Sequence, residues 1–170
     1  MDHSLIDDLI EHPKILETRE HIHHGIPKYD HLIRVTRYSY KLARWTRSDV
    51  RVCVRAGLIH DIDSRYGNLK NHGAVAARWA AEQGEDEAVC AAIVGHMYPI
   101  GPAPTTREGW ILSVADKAAS IADLGDYVRG VVTGTSRQRK RNLQSSDPFY
   151  RRKERIRARE RLKELLEIEI

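Results

Sequence analysis

From Pro27 to Trp45 the apolar and aromatic positions fall at Leu32, Val35, Tyr38, Leu42 and Trp45. Steps of three and four residues predict an amphipathic helix there. Residues 1–24 read as one or two short helices, capped by Asp2 or Ser4 and broken at His12-Pro13. Gly25-Ile26-Pro27 reads as a turn followed by a helix start. Ser48-Asp49 is placed to cap VRVCVRAGLIHD. The Val-rich start of that segment also suits a strand, but no second strand-like segment exists to pair with it, so helix is preferred. Residues 62–71 are turn-rich. Asn71 is placed to cap HGAVAARWAAEQG, Gly84 to end it, and Asp86 to open EAVCAAIVGHM. After the loop YPIGPAPTT, Thr105 and Glu108 suggest a capping box on a long helix running to about Arg129. Trp45, Trp79 and Trp110 sit on apolar faces and are expected in the core. The pattern predicts an all-α fold of six to eight helices, with one core between about residues 5 and 130. A polar, basic linker over 131–150 and a charged C-terminal helix over 151–170 follow.

The chain has 170 residues, 41% hydrophobic and 31% charged, which suits one helix-rich domain and excludes collagen-like or wholly disordered classes. No apolar run approaches the roughly 18 residues needed to cross a membrane. The acidic start MDHSLIDDLIEH lacks the order of a secretory signal. Cys53 and Cys90 lack ligand spacing and read as reduced thiols, so a cytoplasmic location is expected. The net charge of +4 is uneven. Residues 1–136 hold 16 Lys and Arg against 18 Asp and Glu, and residues 137–170 hold 12 against 6. The excess therefore belongs to the tail, and a high overall pI does not make the body a nucleic-acid binder.

Metal-capable side chains stand at the predicted helix ends: His31, the adjacent pair His60-Asp61, His72 and His96. Asp116 joins them from inside the apolar stretch SVADKAAS. Each alone is weak, because a lone histidine is more often a core or surface residue. A carboxylate among apolar neighbours is costly to bury unless it is paired or metal-bound. The HIHH cluster at His21, His23 and His24 is also rich in imidazole, and a solvated helix end is the preferred reading.

Three stretches, DHLIRVTRYSYKLAR, RAGLIHDID and SVADKAAS, together resemble the HD phosphohydrolase superfamily. That all-helical fold is named for its adjacent His-Asp pair. The resemblance spans about residues 20–130, and the NHG and GHMYP stretches are similar to the two-metal subgroup. It implies that His31, His60, Asp61 and Asp116 hold a first divalent metal, with Asp61 bridging to a second completed by His72 and His96. The step of eleven from Asp61 to His72 is shorter than in many two-metal members, so one or two ions are expected. Such a nitrogen and oxygen shell suits Fe, Mn, Co, Ni or Zn. The cations would activate water for attack on phosphorus and neutralise the phosphoryl oxygens.

Around that set, Lys117, Arg65, Lys28 and Arg34 are candidates to bind a phosphate. Asp61, Asp63 and Lys117 are candidates for the chemistry, Asp63 as a general acid or base. Tyr98 is placed to stack on a nucleobase. Each also has a plain structural reading, as a surface lysine, a loop cap or a packing tyrosine. The expected function is hydrolysis of a nucleotide-like phosphate ester or anhydride, with a small phosphorylated molecule as partner. Two alternatives remain: a dinuclear iron oxygenase of the same superfamily, and a non-catalytic module that binds nucleic acid through RQRKR and the tail. The terminal helix would pack on the body or on a second copy of the chain, a homodimer.

Overall fold

The computed structural model describes residues 3–23 and 25–143. Two short helices, α1 (Asp7–Ile10) and α2 (Pro13–Glu17), open the described chain. His12 caps α2 by accepting from Lys14 N, with Pro13 in its first turn. A two-residue hairpin follows, β1 (Ile22–His23) against β2 (Ile26–Pro27), antiparallel. It was not foreseen, because two residues per strand carry no alternation to read. Gly25 closes it at φ +83°, and a Cβ there would lie 2.1 Å from the Tyr127 ring. Only glycine meets both demands.

The body is built from α3 (Lys28–Thr46), α4 (Val50–Ile59), α5 (His72–Glu82), α6 (Glu87–Val94) and α7 (Arg107–Val132). The α4 helix is central. Asp49 caps it by accepting from Val52 N at 3.0 Å. Every residue from Val52 to Ile59 is buried, which is why its sequence shows no polar face. It packs on α3, α6 and α7, and α5 packs on α6. Ile6, Ile15, Leu32, Val35, Leu58, Ile59, Ile93 and Leu112 fill one core. Arg55, only 7% exposed, ties the N-terminal segment to this body. It donates to Leu5 O, to both oxygens of Asp8 and to both oxygens of Glu85.

Several local expectations shift. The α7 cap is Thr106, whose Oγ1 accepts from Gly109 N, and Glu108 instead accepts from Asp49 N. Neither Asn71 nor Asp86 caps through its side chain: Asn71 closes its own loop, and Asp86 pairs with Arg51. Trp79 is buried as expected. Trp45 is 82% exposed and Trp110 46%, because each projects away from the buried face of its helix. The expected linker begins as helix: α7 runs to Val132, and α8 (Thr135–Leu143) packs back on it. The charged C-terminal helix lies outside the described residues. Among the described residues, no helix is long and apolar enough to cross a membrane.

Candidate metal centre

The six expected side chains come from five places along the chain and meet at one end of the α4 core. His31 lies in the first turns of α3, and His60-Asp61 follow the last turn of α4. His72 opens α5, His96 lies just past α6, and Asp116 sits mid-way along α7. All six are buried. His31, His60 and Asp116 bring ligand atoms within 4.8 Å of one another, and so do His60, Asp61 and His96. His72 Nε2 lies 3.4 Å from Asp61 Oδ1 and 3.0 Å from His96 Nε2. The step of eleven residues is therefore long enough to bring His72 back. Gly73 permits the approach, since a Cβ there would stand 2.7 Å from Val94 O and 3.2 Å from His96 Nδ1.

The four imidazoles are oriented alike. In each, Nδ1 meets an acceptor on the protein: Asp123 Oδ2 for His31 (2.6 Å), Gly57 O for His60 (2.9 Å), Asn68 O for His72 (2.9 Å) and Ile93 O for His96 (2.7 Å). A ring that donates from Nδ1 presents a lone pair at Nε2 when neutral. Four Nε2 atoms and two carboxylates thus face one another. His60 Nε2 and Asp61 Oδ2 are buried and make no hydrogen bond among the described residues. Two Nε2 acceptors at 3.0 Å, as in His72 and His96, repel unless a proton or cation lies between them. The donor set and its orphaned atoms fit a divalent transition metal.

The electrostatics carry the same imprint. Burial works to lower the His31 pKa, but hydrogen bonds to Asp116 and Asp123, with the charges of Asp116 and Asp61, lift it to about 9. Burial and the neighbouring His60 push His96 down to about 4. Burial opposes ionisation of Asp61, yet Lys28, His23, His60 and His72 hold it well below the usual carboxylate range. Burial likewise opposes Asp116, and His31 and His60 overcome it.

The other expected residues divide. Tyr98 and Lys117 line a pocket of about 390 Å³ over the centre, with Leu69, Met97 and Ile100 around them. Tyr98 is half-exposed and stacks edge-on against Trp110. The three donors of Lys117 go to His96 O, Ser113 O and Ser113 Oγ, so it braces the loop that carries His96. Lys28 is buried, with its ammonium 3.6 Å from Asp61 Oδ2 and bonded to Asp61 O and Ser64 Oγ.

Three residues stand elsewhere. Asp63, in a left-handed turn at φ 56°, pairs with Lys14 and does not line the pocket. Arg65 bonds Glu17 and His21. Arg34 bonds Asp123 and Asp126. Both arginines are held by carboxylates outside the pocket, and Asp63 by a lysine, which their sequence positions did not reveal.

Two residues of the centre were not foreseen. Asp123, fully buried, orients His31. It lies seven residues after Asp116, two turns along the same buried stripe of α7, and that spacing was the available signal. The sequence favours a solvated helix end for His23. Instead the hairpin sets its ring 4.5 Å from that of His31, with Nδ1 3.5 Å from Asp61 Oδ2. His24 lies outside the described residues.

Comparison with known proteins agrees with this geometry. Residues 29–121 match the model of the HD domain family. The chain is 29% identical over 116 residues to ribonuclease Y of Cutibacterium acnes, a match covering 65% of this chain and 21% of that protein. It is 33% identical over 101 residues to the glycine–tRNA ligase beta subunit of Nitratidesulfovibrio vulgaris, covering 51% of this chain and 14% of that protein. It thus spans only a minor part of either relative's length. No solved structure gives a significant match. With the family model covering more than half its length, the chain belongs to the HD domain family.

Proposed function

We propose that this chain is a metal-dependent phosphohydrolase acting on a phosphate ester or anhydride of a nucleotide-like small molecule. The convergence of four Nε2 atoms and two carboxylates, every Nδ1 anchored on the protein, carries the reading. His31, His60, Asp61 and Asp116 would hold one divalent ion, and Asp61, His72 and His96 a second. Bound there, such ions lower the pKa of a water and neutralise phosphoryl oxygens.

The chain's own groups prepare the site. Asp61 is kept ionised by the cations around it, and Lys28 fixes its main-chain oxygen and one face of its carboxylate. Lys117 and Ser113 hold the His96 carbonyl, so the imidazole beyond it keeps its aim. The pocket of about 390 Å³ suits one nucleotide unit rather than a long chain. Its exposed apolar rim, Leu69, Tyr98 and Ile100, offers a planar base a surface to lie on. Ribonuclease Y is by its name a nuclease, and its similarity favours phosphorus–oxygen cleavage over oxidation.

The test is elemental analysis of purified protein. A phosphate-release screen follows, against nucleotides and dinucleoside polyphosphates with Mn, Fe, Co, Ni or Zn added. Asp61→Ala should lose metal and activity together while keeping its circular dichroism spectrum. A metal-free Asp61→Ala variant with full activity defeats the reading. Oxygen-dependent turnover with a mixed-valent iron signal moves it to the oxygenase class.

A further inference from the structure

A second cleft on the described surface is larger than the one over the metal centre. It measures about 810 Å³ and lies between α3 and the end of α7, with the start of α8 at its edge. No residue lines both clefts. Arg34, Arg37, Lys41 and Arg129 line this one, against the carboxylates of Asp30 and Asp126.

The four cations are not equivalent. Arg34 is committed to Asp123 and Asp126, which also neutralises Asp126. Arg37, Lys41 and Arg129 form no ion pair among the described residues, and all three are exposed. Arg37 and Lys41 lie four residues apart on α3 and so share a face. Arg129 comes from the opposite wall, on α7. Among the described residues, three unpaired cations against one unpaired carboxylate, Asp30, leave the concavity with an excess of positive charge, which a multivalent anion between the walls neutralises. Tyr29 and Tyr38 on the α3 wall add flat, amphipathic surface. The volume lies in the range of small-molecule sites.

We propose that this cleft is a second ligand site, for a small molecule carrying a chain of phosphate groups. It is independent of the metal centre. The chain of phosphates bridges Arg37 and Lys41 on one wall to Arg129 on the other.

The experiment follows the anisotropy of a ribose-labelled fluorescent ATP, far below the protein concentration, with the full chain. Unlabelled tripolyphosphate serves as competitor. Binding should appear at low salt, weaken as salt rises and be displaced by tripolyphosphate. Arg37→Glu/Lys41→Glu should weaken it roughly tenfold or more, with Lys41→Gln intermediate, since charge-assisted contacts are lost. Both residues are exposed, so the fold should survive, checked by circular dichroism. With divalent metal removed by EDTA, so that the metal centre does not compete for the probe, Asp61→Asn, which alters only that centre, should bind as the unaltered chain does. Absence of binding overturns the proposal, as does binding that tripolyphosphate fails to displace. Binding lost in Asp61→Asn but kept in Arg37→Glu/Lys41→Glu overturns it too, by placing the probe over the metals.

Discussion

Asp123→Asn separates an orienting role from a merely structural one. Asp123 and His31 are both fully buried, with 2.6 Å between Oδ2 and Nδ1. The substitution keeps volume and can keep an acceptor for the Nδ1 proton, but it removes the charge. A carboxylate behind a ligating imidazole raises its basicity and fixes its tautomer, and its loss typically weakens metal binding about 10- to 100-fold. That corresponds to about 1.4–2.8 kcal/mol at the metal. Arg34 loses one charged partner but keeps Asp126, so the fold should lose no more than about 1–3 kcal/mol. The assay is competition with a chromophoric chelator at pH 7.5, alongside urea denaturation. Asp126→Asn is the control. Asp126 is about half exposed, bonds Arg34 and does not touch His31, so metal affinity should stay within about twofold. Equal metal affinity in the Asp123→Asn and unaltered proteins, with only stability lowered, refutes the orienting role.

Two further outcomes follow from buried charge. Arg55→Met should cost about 3–5 kcal/mol by urea denaturation, because Glu85, 2% exposed at its side chain, is left without its partner. Adding Glu85→Leu should recover more than half of that, and no recovery would locate the loss in the Asp8 and Leu5 contacts instead. The metal-free protein should lose stability as pH rises. The His31 pKa is raised from 6.5 to about 9, so its contribution is full below 6.5 and gone above 9, at most about 3 kcal/mol. Urea midpoints at pH 6 and 9.5 measure this, with His31→Gln flattening the difference; a midpoint that rises with pH contradicts the assignment.

The sequence shows helices wherever one face is buried and the other wet. The α3 pattern of Leu32, Val35 and Leu42 is legible because its other face meets solvent. The α4 segment is ambiguous for the opposite reason: buried on every side, it has no period, and only the lack of a partner strand argued for helix. Periodicity also gives the direction of a face without its edge. Trp45 and Trp110 lie off the buried face, and a large aromatic ring in the sequence does not by itself say which face carries it. The hairpin at residues 22–27 is invisible by period, although Gly25 marks it.

Legibility of the metal centre follows a sharper rule. His60-Asp61, His31, His72, His96 and Asp116 are readable because ligand-capable side chains stand at helix ends or in apolar runs, where a solvated explanation is weak. Their anchors are harder, since three of the four are backbone carbonyls, Gly57, Asn68 and Ile93, which every residue possesses. The fourth anchor, Asp123, is a side chain, and the buried stripe Leu112, Asp116, Ala119, Asp123 places it one heptad beyond a candidate ligand. A second acid on a buried stripe asks the same question as the first, namely what satisfies it. Here His31 and Arg34 do, and the answer could be sought at i+7 as readily as at Asp116. The cations behave in reverse. Lys117 follows Asp116 directly and suggests a phosphate ligand, yet adjacency on a helix turns neighbouring side chains apart by about 100°, and its ammonium finds carbonyls instead. Spacing along a helix is therefore informative about shared chemistry at steps of three, four and seven, and misleading at a step of one. The His-Asp pair escapes this because both residues lie past the last turn of α4, where the chain is free to aim them together.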